Sequence, residues 1–286
     1  MIDISIIIPH KNSAELLTRC LESIPVSDNK EIIIVDDNSD KYALDFDHFP
    51  GKKRRDTKII YTKEGKGAGY ARNVGMSIAS GEWVIFADAD DYFATDAFDV
   101  FDKYTKTDND LIFFGVRSVM SKNLMIPSRR TDYYQKLMNE PDINMIRYKS
   151  NVPWGKMIRR KVIASNDLKF DETMVANDAY FSCMLSIKAQ KVERDLHIVY
   201  YCTEGNSTLK MRHQSKSDRI TRYKATIKCD RLLKAHHLQM YNNYPSTWLF
   251  KSSKIKDWLP LPYLIQYLIF FKKKALTDAY WFLKYH

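Results

Sequence analysis

Three carboxylates, Asp88, Asp90 and Asp91, follow directly on the apolar and aromatic run Trp83 to Ala87 in the stretch GEWVIFADADDYF. Acids packed this closely repel one another, so the arrangement is costly unless positive charge sits among them. A hard divalent cation, Mg²⁺ or Mn²⁺, suits such oxygen ligands: it takes one or two carboxylates from a protein and fills its remaining positions with water and phosphate oxygens. The same acids could instead form the negatively charged start of the next helix, with Asp96 in its first turn, because the helix macrodipole favours Asp there.

Other residues with chemical potential lie at comparable places. Asp36 and Asp37 end a second apolar run, EIIIV, and precede Asn38 and Ser39. Arg72 falls on the first turns of a helix, where a guanidinium could reach a base or a phosphate, or could form only a surface salt bridge. Asp178, after Asn177 and before an apolar helix, is placed either as a proton acceptor or as a helix cap. Gly65, Gly67 and Gly69 invite a phosphate-loop reading, but no GK[ST] follows them and their spacing is not the dinucleotide fingerprint.

These residues need a scaffold that presents strand ends together. DISIIIP (Asp3 to Pro9) reads as a buried strand, Leu16, Leu17, Cys20, Leu21 and Ile24 carry helical spacing, and Glu31 to Val35 reads as a second buried strand. Strand, helix, strand in so short a span is a βαβ unit with parallel pairing and a right-handed crossover. Unbroken apolar strands belong to a sheet covered on both faces. Lys58 to Thr62, Trp83 to Ala87, Asp110 to Val116 and Lys191 to Tyr201 extend the sheet, while alternation fails from Ser118 to Asp142, where loops and a short helix are expected. In an open α/β sheet the ligand crevice lies beyond the carboxyl ends of the strands, where the acids fall.

The 286 residues are ordinary for a globular protein at 45% hydrophobic and 28% charged, and the four cysteines show neither metal-ligand nor redox spacing. The net charge of +10 is uneven: Leu209 to His286 holds 16 Lys or Arg against 4 Asp, and the rest is close to neutral. The expected division is residues 1–208, in two halves that meet at about 117/118, followed by a basic helical region, 209–286. Within that region WLPLPYLIQYLIFF (Trp258 to Phe271), flanked by lysines, is shorter than the roughly 20 residues a membrane span needs. It suits either an anchor lying in an anionic headgroup layer or a helix packed on the rest of the chain. With no leader-like start, the expected location is cytoplasmic, peripheral at the inner membrane face.

Taken together, Pro9 with Asn12, the Val35 to Ser39 turn, Ala71-Arg72-Asn73, Gly81 to Asp91, Trp154-Gly155-Lys156 with Arg159-Arg160, and Asn177-Asp178 resemble family 2 inverting glycosyltransferases of the GT-A fold. The likeness spans roughly residues 2 to 210 and is nearest in character to bacterial enzymes that build capsule, O-antigen or related surface polysaccharides. It implies an α/β nucleotide-binding domain that moves a sugar from a nucleotide diphosphate, a UDP-sugar, to a hydroxyl of a glycan acceptor carried on a lipid diphosphate. It also implies roles for single residues. Pro9 and Asn12 would border the base, Asp37 or Asp36 would bond uracil, and Arg72 would lie along base or diphosphate. Asp88 would meet ribose or metal, Asp90 would be the chief ligand of Mn²⁺ or Mg²⁺, Trp154 and Lys156 would flank the donor, and Asp178 would be the catalytic base. His213 is a further candidate metal ligand. Where the family carries a Glu-Asp pair this chain has Asn177-Asp178, and Lys11 stands where an aromatic is common.

Two rivals remain open at this point. A sugar nucleotidyltransferase shares the layered plan but would carry a glycine-rich basic signature after the first strand, where this chain has PHKN. A polyanion-binding module would explain the basic C-terminus, but no zinc, homeodomain or RNA-recognition signature accompanies it, and no nucleic-acid partner is expected.

Overall fold

The computed structural model describes residues 2–42, 44–205, 215–244, 249, 259–272 and 274–277, which fall in two compact units, Met1–Ser207 and Thr208–His286. The first unit is α/β. Its strands are β1 (Ile4–His10), β2 (Lys30–Asp37), β3 (Thr57–Thr62), β4 (Trp83–Phe86), β5 (Tyr92–Phe93), β6 (Leu111–Met120), β7 (Asn123–Pro127), β8 (Lys156–Arg159) and β9 (Val192–Glu204). They form one sheet in the order β3-β2-β1-β4-β8-β6-β9-β5, with β7 folded onto β6. The first four in that order are parallel, β9 is parallel to β6, and β5, β7 and β8 run the opposite way.

The expected βαβ start is present, with α1 (Ala14–Glu22) joining β1 to β2. Every residue of β1 and β2 is buried, as both-face coverage requires. The chain then reverses direction across the sheet: β2 and β3 lie on one side of β1, and α2 (Ala68–Ile78) carries it back to place β4 on the other. That reversal is the topological switch point, and β4 stops at Phe86, opposite Ile7, while β1 runs on to His10. Pro9 lies past this last pair and opposite Val35 of β2, so its missing N–H interrupts no bond to β4. The short β4 opens the sheet where the acids leave it.

Three short elements differ from expectation. β8 is a four-residue antiparallel insertion between β4 and β6, and β5 is only two residues long. The stretch from Ser118 to Asp142 holds the β6–β7 hairpin before α4 (Asp132–Asn139), because β6 continues to Met120 in pairing with β9. The remaining helices are α3 (Ala97–Tyr104), α5 (Ile143–Lys149), α6 (Arg160–Ser165) and α7 (Ala179–Lys188).

Glu31, buried in β2, shows how the sheet edge is tied together. Its carboxylate accepts from Ser5 Oγ (2.6 Å), Lys58 Nζ (2.7 Å), and Ser80 N (2.6 Å) and Oγ (2.8 Å). Burial works against the charge, yet these donors outweigh it and bring the pKa down from 4.5 to about 2. Because the folded value lies below the unfolded one, the stabilisation is complete above about pH 4.5 and is lost as the pH falls toward 2. Glu31→Gln is expected to lower the unfolding free energy at pH 7 by on the order of 2 kcal/mol. Denaturant titration would measure this, and the gap to wild type should close near pH 2.

In the second unit α8 (Lys216–Ala235) starts at Ser215, whose side chain accepts the Asp218 N–H at 3.0 Å. A 3₁₀ turn, Gln239–Tyr241, follows, and then α9 (Leu261–Phe271), which begins at Pro260 with Pro262 in its first turn. The two prolines thus start the helix rather than interrupt it. Tyr223, Ile227, Leu249, Leu259, Tyr267 and Ala275 form the apolar cluster of this unit, while Leu261, Ile265 and Ile269 face outward along one side of α9. Among the described residues no helix is long and apolar enough to cross a membrane.

Candidate active site

The acidic stretch leaves β4 as a tight turn, with Asp91 N–H on Asp88 O at 3.1 Å, and β9 pins that turn from the side. Tyr200 Oη accepts the Asp88 backbone N–H at 2.8 Å, and Thr203 Oγ1 donates to the Asp90 carbonyl at 2.6 Å. Arg19 of α1 also donates to the Asp90 carbonyl. Asp91 is fully buried, where its carboxylate accepts the Thr203 N–H at 2.7 Å and faces the Arg130 guanidinium at 3.9 Å. Asp88 Oδ1 accepts from Arg72 Nη2 at 2.6 Å.

One carboxylate oxygen from each of Asp88, Asp90 and Asp91 lies within 4.8 Å of the others. Burial first, and then Asp88, push the Asp90 carboxyl above its usual range, with Arg130 and Arg19 opposing. Burial and then Asp90 push Asp91 well above its own. Burial and mutual repulsion thus keep Asp90 and Asp91 raised despite three arginines, Arg19, Arg72 and Arg130, at the cluster, and its ligand atoms are all hard oxygens. That set fits a divalent cation such as Mg²⁺ or Mn²⁺, and Asp90 and Asp88 are the members that are not fully buried.

Arg72 connects this cluster to the opposite wall. Its Nη1 donates to Asn177 Oδ1 at 3.0 Å while Nη2 holds Asp88, and the guanidinium lies 5.3 Å from the Phe170 ring centroid. The wall itself is the loop that ends at Asp178, closed by Asp171 N–H on Asn177 O at 3.0 Å. It packs so closely on α2 that a Cβ at Gly69 would lie 2.2 Å from Asp171 O and 2.9 Å from Asn177 Cβ. Close approach thus accounts for Gly69. Asp178 is the residue before α7, yet its side chain makes no capping hydrogen bond. Burial raises its pKa, with Arg72 opposing and Asp88 adding to the rise.

Lys156, expected beside the donor, is 2% exposed, and its ammonium donates to Val152 O at 2.6 Å and Ser150 O at 3.3 Å. Burial lowers its pKa to about 7, with Asp178 as the charge that opposes the fall. Its electrostatic partner is therefore the acid of the far wall.

The residues expected around the base form a network at the ends of β1 and β2. Asp36 accepts from Ser39 N at 2.9 Å and from His10 Nδ1 at 2.8 Å; the Ser13 N–H donates to His10 Nε2 at 3.2 Å, which leaves the imidazole proton on the side of Asp36. Asp37 accepts from Gly67 N at 2.7 Å and Lys66 N at 3.0 Å, so it fastens the loop that leads into α2. Asn12 bridges the same two strand ends, through its N–H to Ser39 Oγ and through Oδ1 from Asp40 N, each at 2.8 Å. Trp154 packs in the core between Tyr134 and Tyr200. His213 lies outside the described residues. Arg19, Arg130, Tyr200 and Thr203, which hold the acidic turn, were not among the residues singled out by sequence; Tyr200 and Thr203 lie 112 residues from the acids they bind.

The acid cluster after β4 and the raised carboxylate of Asp178, linked through Arg72, lie at the switch point of a mostly parallel α/β sheet, the place where open α/β sheets take their ligands. The family model for glycosyl transferase family 2 matches residues 5–165, and the chain belongs to that family. The poly(ribitol-phosphate) beta-glucosyltransferase of Bacillus spizizenii is 29% identical over 206 residues, which are 69% of this chain and 32% of that protein. This chain thus spans about a third of that relative's length. The cholesterol galactosyltransferase of Borreliella burgdorferi is 27% identical over 263 residues, 83% of this chain and 73% of its own. Among solved structures, S. aureus TarS residues 1–349 in complex with UDP-GlcNAc superimposes with a TM-score of 0.69 at 18% identity, covering 99% of this chain and 91% of that one. The fold is the GT-A plan that the sequence pattern resembles.

Proposed function

We propose that the chain transfers a sugar from a UDP-sugar to a hydroxyl of a lipid-borne or lipid-diphosphate-linked glycan acceptor, with inversion at the anomeric carbon, in the synthesis of a bacterial surface polymer. The carrying observation is Arg72, which bonds Asp88 of the acidic wall and Asn177 beside Asp178 of the other. One guanidinium thereby sets the spacing between the two halves of the reaction. Residues 1–117 hold the donor and 118–208 shape the acceptor side. The UDP-GlcNAc complex of TarS supports a UDP-sugar donor, and the names of the two relatives support sugar transfer.

In the proposed step Asp178 takes the proton of the acceptor hydroxyl as its oxygen bonds to the anomeric carbon. The bond from that carbon to the diphosphate breaks on the opposite face, and its electron pair leaves with the diphosphate. Asp90, with Asp88, would hold Mn²⁺ or Mg²⁺, which supplies charge neutralisation for the departing diphosphate. Arg72 orients Asp88, and Lys156 adds positive charge behind Asp178. Asp36, Asp37, Pro9 and Asn12 give the base its floor through backbone that their hydrogen bonds hold in place, and Trp154 supports Tyr200 beneath Asp88. The basic residues 209–286, with the outward row Leu261, Ile265 and Ile269, would keep the enzyme on an anionic membrane face.

The test is incubation of the purified chain with UDP-, GDP- and dTDP-sugars and Mn²⁺, with nucleotide release scored by chromatography. Release of UDP from UDP-glucose, UDP-galactose or UDP-N-acetylglucosamine is the expected result. Turnover confined to the other nucleotides would overturn the donor assignment, and pyrophosphate formation from UTP and a sugar phosphate would favour the nucleotidyltransferase.

A further inference from the structure

The β6–β7 hairpin carries three outward apolar side chains that the fold does not use: Leu124, Met125 and Ile126 are 37%, 88% and 50% exposed. Every residue of β7 is exposed. Lys122 and Arg129, both exposed, flank the three, and from Leu111 to Thr131 the chain has no Asp or Glu. The acids beside the hairpin base are Glu204, which faces Met120 from β9, and exposed Asp132, whose N–H donates to Arg129 O at 3.2 Å. The base is tied to the acidic turn from two sides. Arg19 donates to both Ser121 O (3.4 Å) and the Asp90 carbonyl, and Arg130, just past the hairpin, donates to Thr203 O and faces Asp91 at 3.9 Å.

We propose that this hairpin is a lipid-contact element: Leu124, Met125 and Ile126 enter the interfacial layer of an anionic bilayer while Lys122 and Arg129 meet its headgroups, so that the acid cluster is held close to the surface from which a lipid-borne hydroxyl arrives. The inference rests on the acceptor reading given above. Charge selects this occupant, because an apolar tip flanked by two exposed cations, Lys122 and Arg129, with no acid from Leu111 to Thr131, matches an anionic lipid face. A second strand is a poor alternative. β7 pairs with β6 only at Val119 with Pro127 and Met120 with Asn123, with a register shift between them, and Pro127 has no N–H to offer. Three side chains also fall far short of the roughly 800 Å² per partner of a stable protein interface.

All four native cysteines among the described residues are buried, so a Met125→Cys thiol can carry a polarity-sensitive dye in the 286-residue chain. The dye should shift to the blue with phosphatidylglycerol vesicles and not with phosphatidylcholine vesicles, and the shift should reverse in high salt. Replacing Leu124, Met125 and Ile126 together with serine should weaken vesicle co-sedimentation about ten-fold or more, with the dissociation constant for a UDP-sugar, a property of the donor half, unchanged. Co-sedimentation without a dye shift would place the membrane contact elsewhere and overturn the proposal, as would a dimer that the serine variant dissolves. A dye shift in a chain that neither binds UDP nor releases it would uphold the hairpin and sink the transferase reading instead.

Discussion

Asp178→Asn is expected to lower kcat about a thousand-fold or more, the upper range for loss of a positioned proton acceptor, while the dissociation constant for a UDP-sugar stays near the wild-type value. The substitution keeps the shape and removes only the ability to hold a proton. Helix α7 should not suffer, because the Asp178 side chain makes no cap bond and the Ser182 N–H goes to the Asp178 backbone carbonyl at 3.0 Å. Burial raises the carboxyl pKa against the pull of Arg72, so the charged form is disfavoured by folding at neutral pH. The variant should therefore melt at the same temperature or higher, the trade expected when a site stores destabilising charge for chemistry. In the wild type, kcat/KM should fall on the acid side with an apparent pKa above the ordinary carboxyl range, because protonation of Asp178 removes the acceptor. Calorimetric donor binding, single-turnover rates and thermal melts separate the alternatives. A variant that keeps its rate but loses stability would return Asp178 to the role of helix cap.

How much of this arrangement could be read in advance depended on distance along the chain. The βαβ start and the acids at the end of β4 were legible because each is a local pattern: an unbroken apolar strand, a helical repeat, then a polar break. β8 was not, since four residues, KMIR, carry no period, and what makes them a strand is the gap between β4 and β6. The β6–β7 hairpin was hidden for the same reason, its existence depending on the long pairing of β6 with β9. Asp91 is the third acid of the run and the one to which the family resemblance gave no role, and it is fully buried and bonded to the Thr203 N–H of a distant strand. Asp36 and Asp37 show a related ambiguity. An acid at a strand end can bind a ligand or a nearby backbone N–H, and these two carboxylates accept from Ser39, Lys66 and Gly67. A donor base would then be met by the loops those acids hold, with their shape doing what a direct contact was expected to do.

Asp90→Ala should cost about a hundred- to a thousand-fold in kcat, the scale for removing one principal stabiliser of developing negative charge, and should leave a rate that chelator no longer changes. The argument begins with repulsion. Asp90 sits among Asp88 and Asp91, and burial followed by Asp88 keeps its carboxyl raised even with Arg130 and Arg19 nearby. In metal-free protein the alanine variant sheds that repulsion and should melt no lower than wild type. Added Mn²⁺ stabilises only a chain that binds it, by about 2.7 kcal/mol at a hundred times the dissociation constant. The wild-type melting temperature should therefore rise with Mn²⁺, and that of the variant should stay flat. Because the thermal shift is read without substrate, it tests the cation site apart from the transfer reaction. The turn itself should survive, since Tyr200, Thr203 and Arg19 hold it through the backbone of Asp88 and Asp90 rather than through the deleted carboxylate. An unchanged Mn²⁺ shift in Asp90→Ala would assign the ion to other ligands, and an undiminished rate of the variant in the presence of chelator would remove the cation from the mechanism.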